Sequence, residues 1–117
     1  MQHRFRLSSS TDFQRVRRHG KSYAHPLVVL VAQKNEGSPQ SRFAIAAGRT
    51  VGNAVHRNRA KRRLRSALQP YLAQITPGWD ALLIARQPID SADFMQIQAA
   101  VTQLLRRSGL LQVPTDE

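Results

Sequence analysis

Ala60, Leu64, Ala67, Leu68, Tyr71, Leu72 and Ile75 recur at spacings of three and four, the period of a helix with one buried face. The same stretch opens with VGNAVHRNRAKRRLR, Val51 to Arg65, which holds six Lys and Arg residues and no acid. Asn53 is a good N-cap for this helix. At roughly 100° per residue, Asn58, Arg59, Arg62 and Arg65 face away from the apolar stripe, with Lys61 and Arg63 on its flanks. Arg57 falls on the apolar side, which is tolerable only in the first turn, beyond the edge of the core. Such a helix is half core and half cationic surface, so it must lie as an outer layer on something apolar.

No Asp or Glu occurs from Gly37 to Trp79, so none of these charges has a carboxylate nearby in sequence. A merely solvated helix mixes signs to gain pairing one turn apart, whereas like charges so close together destabilise a free helix. Arginine outnumbers lysine five to one between Arg57 and Arg65, which suits bidentate phosphate contacts and stacking. A net charge of +11 on 117 residues points the same way, to a nucleic acid partner. That length suits one core and one domain, residues 1–117. The absence of cysteine removes disulfides and thiolate metal sites and makes the cytoplasm the default compartment. No apolar h-region follows the basic N-terminus and no long apolar run occurs, so neither secretion nor membrane insertion is indicated.

The other elements follow from local signals. Ser8, Ser9 and Ser10 offer N-caps for a short helix bearing Phe13 and Val16, and Gly20 is expected to stop it in the left-handed conformation. Tyr23 and then Leu27 to Ala32 form one strand, with room for a short one before it, ending at the GSPQ turn of Gly37 to Gln40. Arg42 to Ala47 is a strand whose FAIAA run is apolar on both faces, which predicts a central place in the sheet. Pro77 and Gly78 precede a third main strand, Trp79 to Ala85. Asp90 or Ser91 then caps a last helix bearing Phe94, Ile97, Val101, Leu104 and Leu105, stopped by Gly109. Helix, strands, helix, strand, helix is an α+β single-domain sandwich, with the Phe43 and Leu82 strands parallel because a long helix joins them. Residues 112–117 read as a disordered tail, and residues 1–6 equally as groove wall or flexible arm.

The chemistry of a protein nuclease is hard to find. Metal-dependent hydrolysis needs converging carboxylates, yet Asp90 and Asp93 are accounted for by capping, Asp116 and Glu117 by the tail, and Asp12, Glu36 and Asp80 are scattered. His3, His19, His25 and His56 lack zinc-binding spacing, and no phosphate loop or nucleophile elbow occurs. No catalytic and no metal-binding residue is therefore assigned. His56, inside the basic segment, could donate to phosphate or stack on a base. Phe13, Val16, Tyr23 and Val29 are most simply core. The sharper reading is an aromatic floor rimmed by Arg15, Arg17 and Arg18, suited to single-stranded nucleic acid.

Phe13 within DFQRVRRHG, the strand from Arg42, and above all VGNAVHRNRAKRRLR resemble the protein component of bacterial ribonuclease P, over about Leu7 to Ser108. The resemblance implies a left-handed crossover through the basic helix, against the usual rule. It implies no catalytic residue in the protein: Mg²⁺ held by a large RNA activates the water that removes the 5′ leader of precursor tRNA and leaves a 5′-phosphate. It places Arg49, Asn53, His56, Arg57, Asn58, Arg59, Lys61, Arg62 and Arg65 on ribonuclease P RNA. Phe13, Arg17, Tyr23, His25 and Val31 would form the groove for the single-stranded leader. It further implies a monomer, one protein per RNA. Arg17 and Val31 replace residues that are aromatic in some members, and Arg49-Thr50 stands where Lys-Lys is frequent, so leader binding here should lean on charge more than on stacking. The alternatives are a structured-RNA-binding protein of ribosomal type and, behind it, a protein-only nuclease. DNA binding is weaker, since no helix-turn-helix or zinc pattern occurs.

Overall fold

The computed structural model describes residues 3–37 and 39–112. Seven main elements follow in order: α1 (Ser10–His19), β1 (Lys21–Ala24), β2 (Val28–Lys34), β3 (Arg42–Ala47), α2 (Ala54–Leu68), β4 (Trp79–Ala85) and α3 (Phe94–Arg107). The architecture is the expected α+β sandwich. Short 3₁₀ turns at His3–Phe5, Arg49–Val51, Gln69–Gln74 and Gln87–Ser91 join them. Of the expected tail, residues 113–117 lie outside the described residues, as do residues 1 and 2 of the expected arm.

The sheet order is β1-β2-β4-β3. β1 and β2 are an antiparallel hairpin with Tyr23 opposite Leu30, β2 and β4 are antiparallel with Val31 opposite Leu82, and β3 and β4 are parallel with Phe43 opposite Ala81. Strand alternation sorts the side chains to two faces. Leu30, Phe43 and Leu83 point to the layer of α2 and α3 and form the larger core with Leu64, Leu68, Ile97 and Leu104. Each such leucine, fully buried, contributes about 1.5–3 kcal/mol of transfer free energy. Val31 and Leu82 point the other way, to Leu7 and Val16 beneath α1. α2 and α3 run side by side in the same direction: Gln98 Nε2 donates to Ala67 O at 2.7 Å, and Tyr71 Oη lies 2.7 Å from Thr102 Oγ1.

Three expectations are corrected. β3 is an edge strand, not a central one. Its double-sided apolar run reflects α2 on one face and, on the other, Ala44 packed against the cluster of Leu7, Val16, Val31 and Leu82, and its free edge is partly covered by the N-terminal segment, where Arg6 bridges to Phe43 and Leu7 N donates to Phe43 O at 2.8 Å. Gly20 has φ −75°, so no left-handed stop occurs. Its role is proximity, since a Cβ there would lie 2.6 Å from Val16 O and 2.7 Å from Val31 Cγ1. The cap of α3 is Asp93, which closes a reciprocal capping box with Gln96; Asp90 and Ser91 belong to the preceding 3₁₀ turn.

Candidate nucleic-acid interface

β3 runs out at Gly48 into an exposed turn carrying Arg49 and Thr50, and the chain enters α2 through Gly52 and Asn53. Gly52 has φ +143°, and a Cβ there would meet His56 Cβ at 2.9 Å, so both backbone and space require glycine. Asn53 caps the helix as expected, its Oδ1 accepting from His56 N at 3.2 Å. Ala60, Leu64, Ala67 and Leu68 are buried, while Asn58, Arg59, Arg62 and Arg65 are exposed. Arg57 lies half-buried in the first turn, its N–H on Asn53 O at 2.9 Å, which is how a cation on the apolar side is accommodated. Among the described residues, the guanidinium or ammonium groups of Arg49, Arg57, Arg59, Lys61, Arg62 and Arg65 have no protein partner.

Two members of the basic segment are engaged internally. Arg63 donates to Ala92 O at 2.6 Å, tying α2 to the approach of α3. Its pKa is lowered by burial and by Arg59, against the pull of Asp93 and Asp90. His56 Nδ1 lies 2.9 Å from Asp90 Oδ1. The imidazole is thus oriented by a carboxylate, leaving at most its other ring nitrogen for an outside partner. Asp90 is therefore accounted for by His56, not by capping.

The second surface is the face of the sheet that α1 covers only in part. Arg17, Ser22, Val29, Val31 and Ile84 line a shallow concavity of about 310 Å³. Phe13, one turn before Arg17, is half-buried on the Leu7, Val16, Val31 and Leu82 cluster. The floor lies near the carboxyl ends of β3 and β4, where the chain leaves for Arg49 and the start of α2.

Two expected groove residues lie elsewhere. Tyr23 sits opposite Leu30 and packs on the α2/α3 core, with Lys21 Nζ 5.5 Å and the Arg107 guanidinium 6.0 Å from its ring centroid. It is on the wrong face of the sheet for the groove. His25 lies in the β1–β2 turn, its Nδ1 accepting from Leu27 N at 3.1 Å, and does not line the concavity. Burial, and then repulsion from Arg107, lower its pKa.

A further cluster had no local signal in the sequence. Asp80 of β4, 0% exposed, accepts from Arg15 of α1 at 2.6 Å, from Asn35 at 2.9 Å and from two nitrogens of Arg42 at 3.0 Å. Asp12 joins through Arg15 at 3.2 Å and Arg42 at 3.7 Å. The fold thus gathers two of the acids that are scattered in sequence, and Arg15 is internally paired, not part of a free cationic rim. Burial pushes Asp80 up, but the bonds from Arg42, Arg15 and Asn35 outweigh it and hold the carboxyl below its ordinary range. Among the described residues no three His, Asp or Glu side chains gather into a metal cage, and no helix is long and apolar enough to cross a membrane.

A family model described as Ribonuclease P matches residues 1–109. The chain belongs to the ribonuclease P protein family. It is 41% identical over 110 residues to a ribonuclease P protein component of Herpetosiphon aurantiacus, covering 94% of this chain and 89% of that protein. It is 34% identical over 112 residues to one of Listeria monocytogenes, covering 96% and 94%. The RNase P protein structure of Staphylococcus aureus superposes with a TM-score of 0.84 at 30% identity, over 92% of this chain and 98% of that one. That of Thermotoga maritima gives 0.77 at 30% identity, over 87% and 96%. The protein is accordingly a subunit of an endoribonuclease ribonucleoprotein with ribonuclease P RNA as its partner, and the ribosomal-type alternative is not favoured.

Proposed function

We propose that the exposed face of α2 binds ribonuclease P RNA, through Arg49, Asn53, Arg57, Asn58, Arg59, Lys61, Arg62 and Arg65, while the α1 groove, with Phe13, Arg17 and Val31, holds the 5′ leader of precursor tRNA. His56 contributes by orienting the start of α2 through Asp90. The observation that carries this reading is the placement of an unpaired cationic stripe on one side of the sheet and a part-covered apolar floor on the other, meeting near the carboxyl ends of β3 and β4. Duplex RNA is held by phosphate contacts; a single strand needs an apolar floor and a cation beside it.

The chemistry is assigned to the RNA subunit, where bound Mg²⁺ would activate water for a hydrolysis that leaves a 5′-phosphate on the mature tRNA. Among the described residues the acids do not fit such a cation: Asp12 and Asp80 are engaged by Arg15 and Arg42, Asp90 by His56, and Asp93 by the α3 cap, which leaves Glu36 with no second carboxylate to share a metal. What this chain supplies is charge neutralisation and proximity. Two polyanions brought together repel, and every phosphate met by a side chain of α2 or by Arg17 releases counterions and lowers that repulsion. One copy per RNA, a single RNA-binding unit and a cytoplasmic location fit this role.

Cleavage of a precursor tRNA by a bacterial ribonuclease P RNA, titrated with Mg²⁺ with and without the protein, tests it. The protein should shift half-maximal cleavage by the RNA to lower Mg²⁺, with the cut only at the mature 5′ end. An unchanged Mg²⁺ requirement, or cleavage by protein alone, contradicts it.

A further inference from the structure

We propose that Asp80 is a positioning residue for the leader groove: through Arg15 it fixes the rotation of α1 about its own axis, and so the overhang of Phe13 and Arg17 above the sheet. The inference rests on the leader reading above. Gln33, Asp80 and Arg42 are register partners on β2, β4 and β3, one row of the sheet face beneath α1. Arg42 and Asn35 alone would satisfy the Asp80 carboxylate within the sheet and its loop. Arg15 adds the bond from α1, donating to Asp80 at 2.6 Å and also to Gln33, while Asp12 closes the cluster from the same helix.

The geometry of α1 gives that bond its consequence. Val16 is fully buried beneath the helix. Counting 100° per residue from it, Asp12 and Arg15 fall on one flank, and Phe13 and Arg17 on the other. Gly20, pressed against Val31 and Ala32 O, fixes where the helix ends but not how it is rolled. Packing of Val16 and Leu7 is non-directional, whereas hydrogen bonds to a buried carboxylate are directional. Side-chain tips lie about 5–6 Å from a helix axis, so a roll of about 20° carries Phe13 and Arg17 through about 2 Å. Buried ion clusters stabilise little compared with apolar packing, so what this one adds is definition of the wall of the groove. The cluster of Asp12, Asp80, Arg15 and Arg42 is neutral as a set, so Arg15 adds no net charge for the leader phosphates.

The test uses the holoenzyme assembled on a bacterial ribonuclease P RNA, with precursor tRNAs carrying a long leader or a leader cut to a single nucleotide. Asp80→Asn disturbs the whole cluster; Arg15→Gln leaves the Arg42–Asp80–Asn35 set in place and isolates the tether. Arg15→Gln should weaken long-leader substrate binding by about tenfold, the order expected when one base–aromatic contact is weakened. Short-leader cleavage and assembly with the RNA should be unchanged. The salt slope of leader binding should also be unchanged, whereas Arg17→Ala should flatten it by about 0.7, one single-strand phosphate contact. Equal loss with both leaders, no loss with either, or an Arg17-like change in slope for Arg15→Gln overturns the inference. If Phe13→Ala and Arg17→Ala themselves show no leader dependence, the leader reading falls and the inference with it; if they do and Arg15→Gln does not, only the inference falls.

Discussion

Removing Arg59 and Arg62 together should flatten the salt dependence of assembly with ribonuclease P RNA by a predictable amount. Arg57, Arg59, Lys61, Arg62 and Arg65 lack a protein partner among the described residues, whereas Arg63 is committed to Ala92 O at 2.6 Å. If each unpaired cation of α2 and the likewise unpaired Arg49 meets one phosphate, log K falls with log salt at a slope of about −5.4, and a fourfold rise in salt costs about 3.3 decades of affinity. The Arg59→Ala, Arg62→Ala double variant should show a slope of about −3.6 and lose only about 2.2 decades over the same range. Arg63→Ala is the internal control: it should leave the slope unchanged and cost about 1 kcal/mol of folding stability through the lost α2–α3 tie. Fluorescence anisotropy of labelled RNA across a KCl series measures all three. A double variant with the wild-type slope, or an Arg63→Ala variant that flattens the slope as much, would refute the division between free and engaged cations.

Gly20→Ala should lower stability by about 1–3 kcal/mol in thermal unfolding, since the new Cβ meets Val16 O and Val31 Cγ1 at 2.6 and 2.7 Å although its backbone is ordinary. Asp80 has a depressed folded-state pKa, so its stabilisation is complete above the ordinary carboxylate range and is lost as pH falls below about 4; urea midpoints should drop there in the wild type and drop less steeply in Asp80→Asn. Burial and Arg107 lower the His25 pKa, so stability should decline as pH falls below about 6.5, where the unfolded chain takes up that proton first. An NMR titration should place its midpoint below about 6.5 and should move it upward in Arg107→Ala.

What was legible in the sequence was what one element can specify alone. The α2 stripe from Ala60 to Leu68, its Asn53 cap and the unpaired face of Arg59, Arg62 and Arg65 follow from helical period and local charge, and the parallel β3–β4 pair follows from the length of the connection. Asp93 as cap of α3 is legible too, since Gln96 three residues on is the capping-box partner, whereas Asp90 is a cap candidate by residue type alone. The rest depends on which strands become neighbours. An FAIAA run reports layers above and below, not strands on both sides, so it could not distinguish the edge of the sheet from its centre. The family resemblance places Tyr23 in the groove by its position, but the hairpin register that pairs it with Leu30 puts it on the face opposite to Val31's, where the simpler reading of it as core holds. The Asp80 cluster joins residues 65 and 38 positions apart, so Asp12, Arg15, Arg42 and Asp80 look unrelated until the register sets Arg42 beside Asp80 and α1 lays Asp12 and Arg15 over them.

On the proposed function, one small protein presents two RNA surfaces on opposite faces of its sheet, one for each RNA. Photo-crosslinkers placed singly at Arg62 and at Arg17, in holoenzyme assembled with a precursor tRNA labelled in its leader, test this directly. The account predicts that position 62 crosslinks to ribonuclease P RNA and position 17 to the leader, with no exchange between them. Leader crosslinks from position 62, or crosslinks from position 17 to ribonuclease P RNA alone, would contradict it.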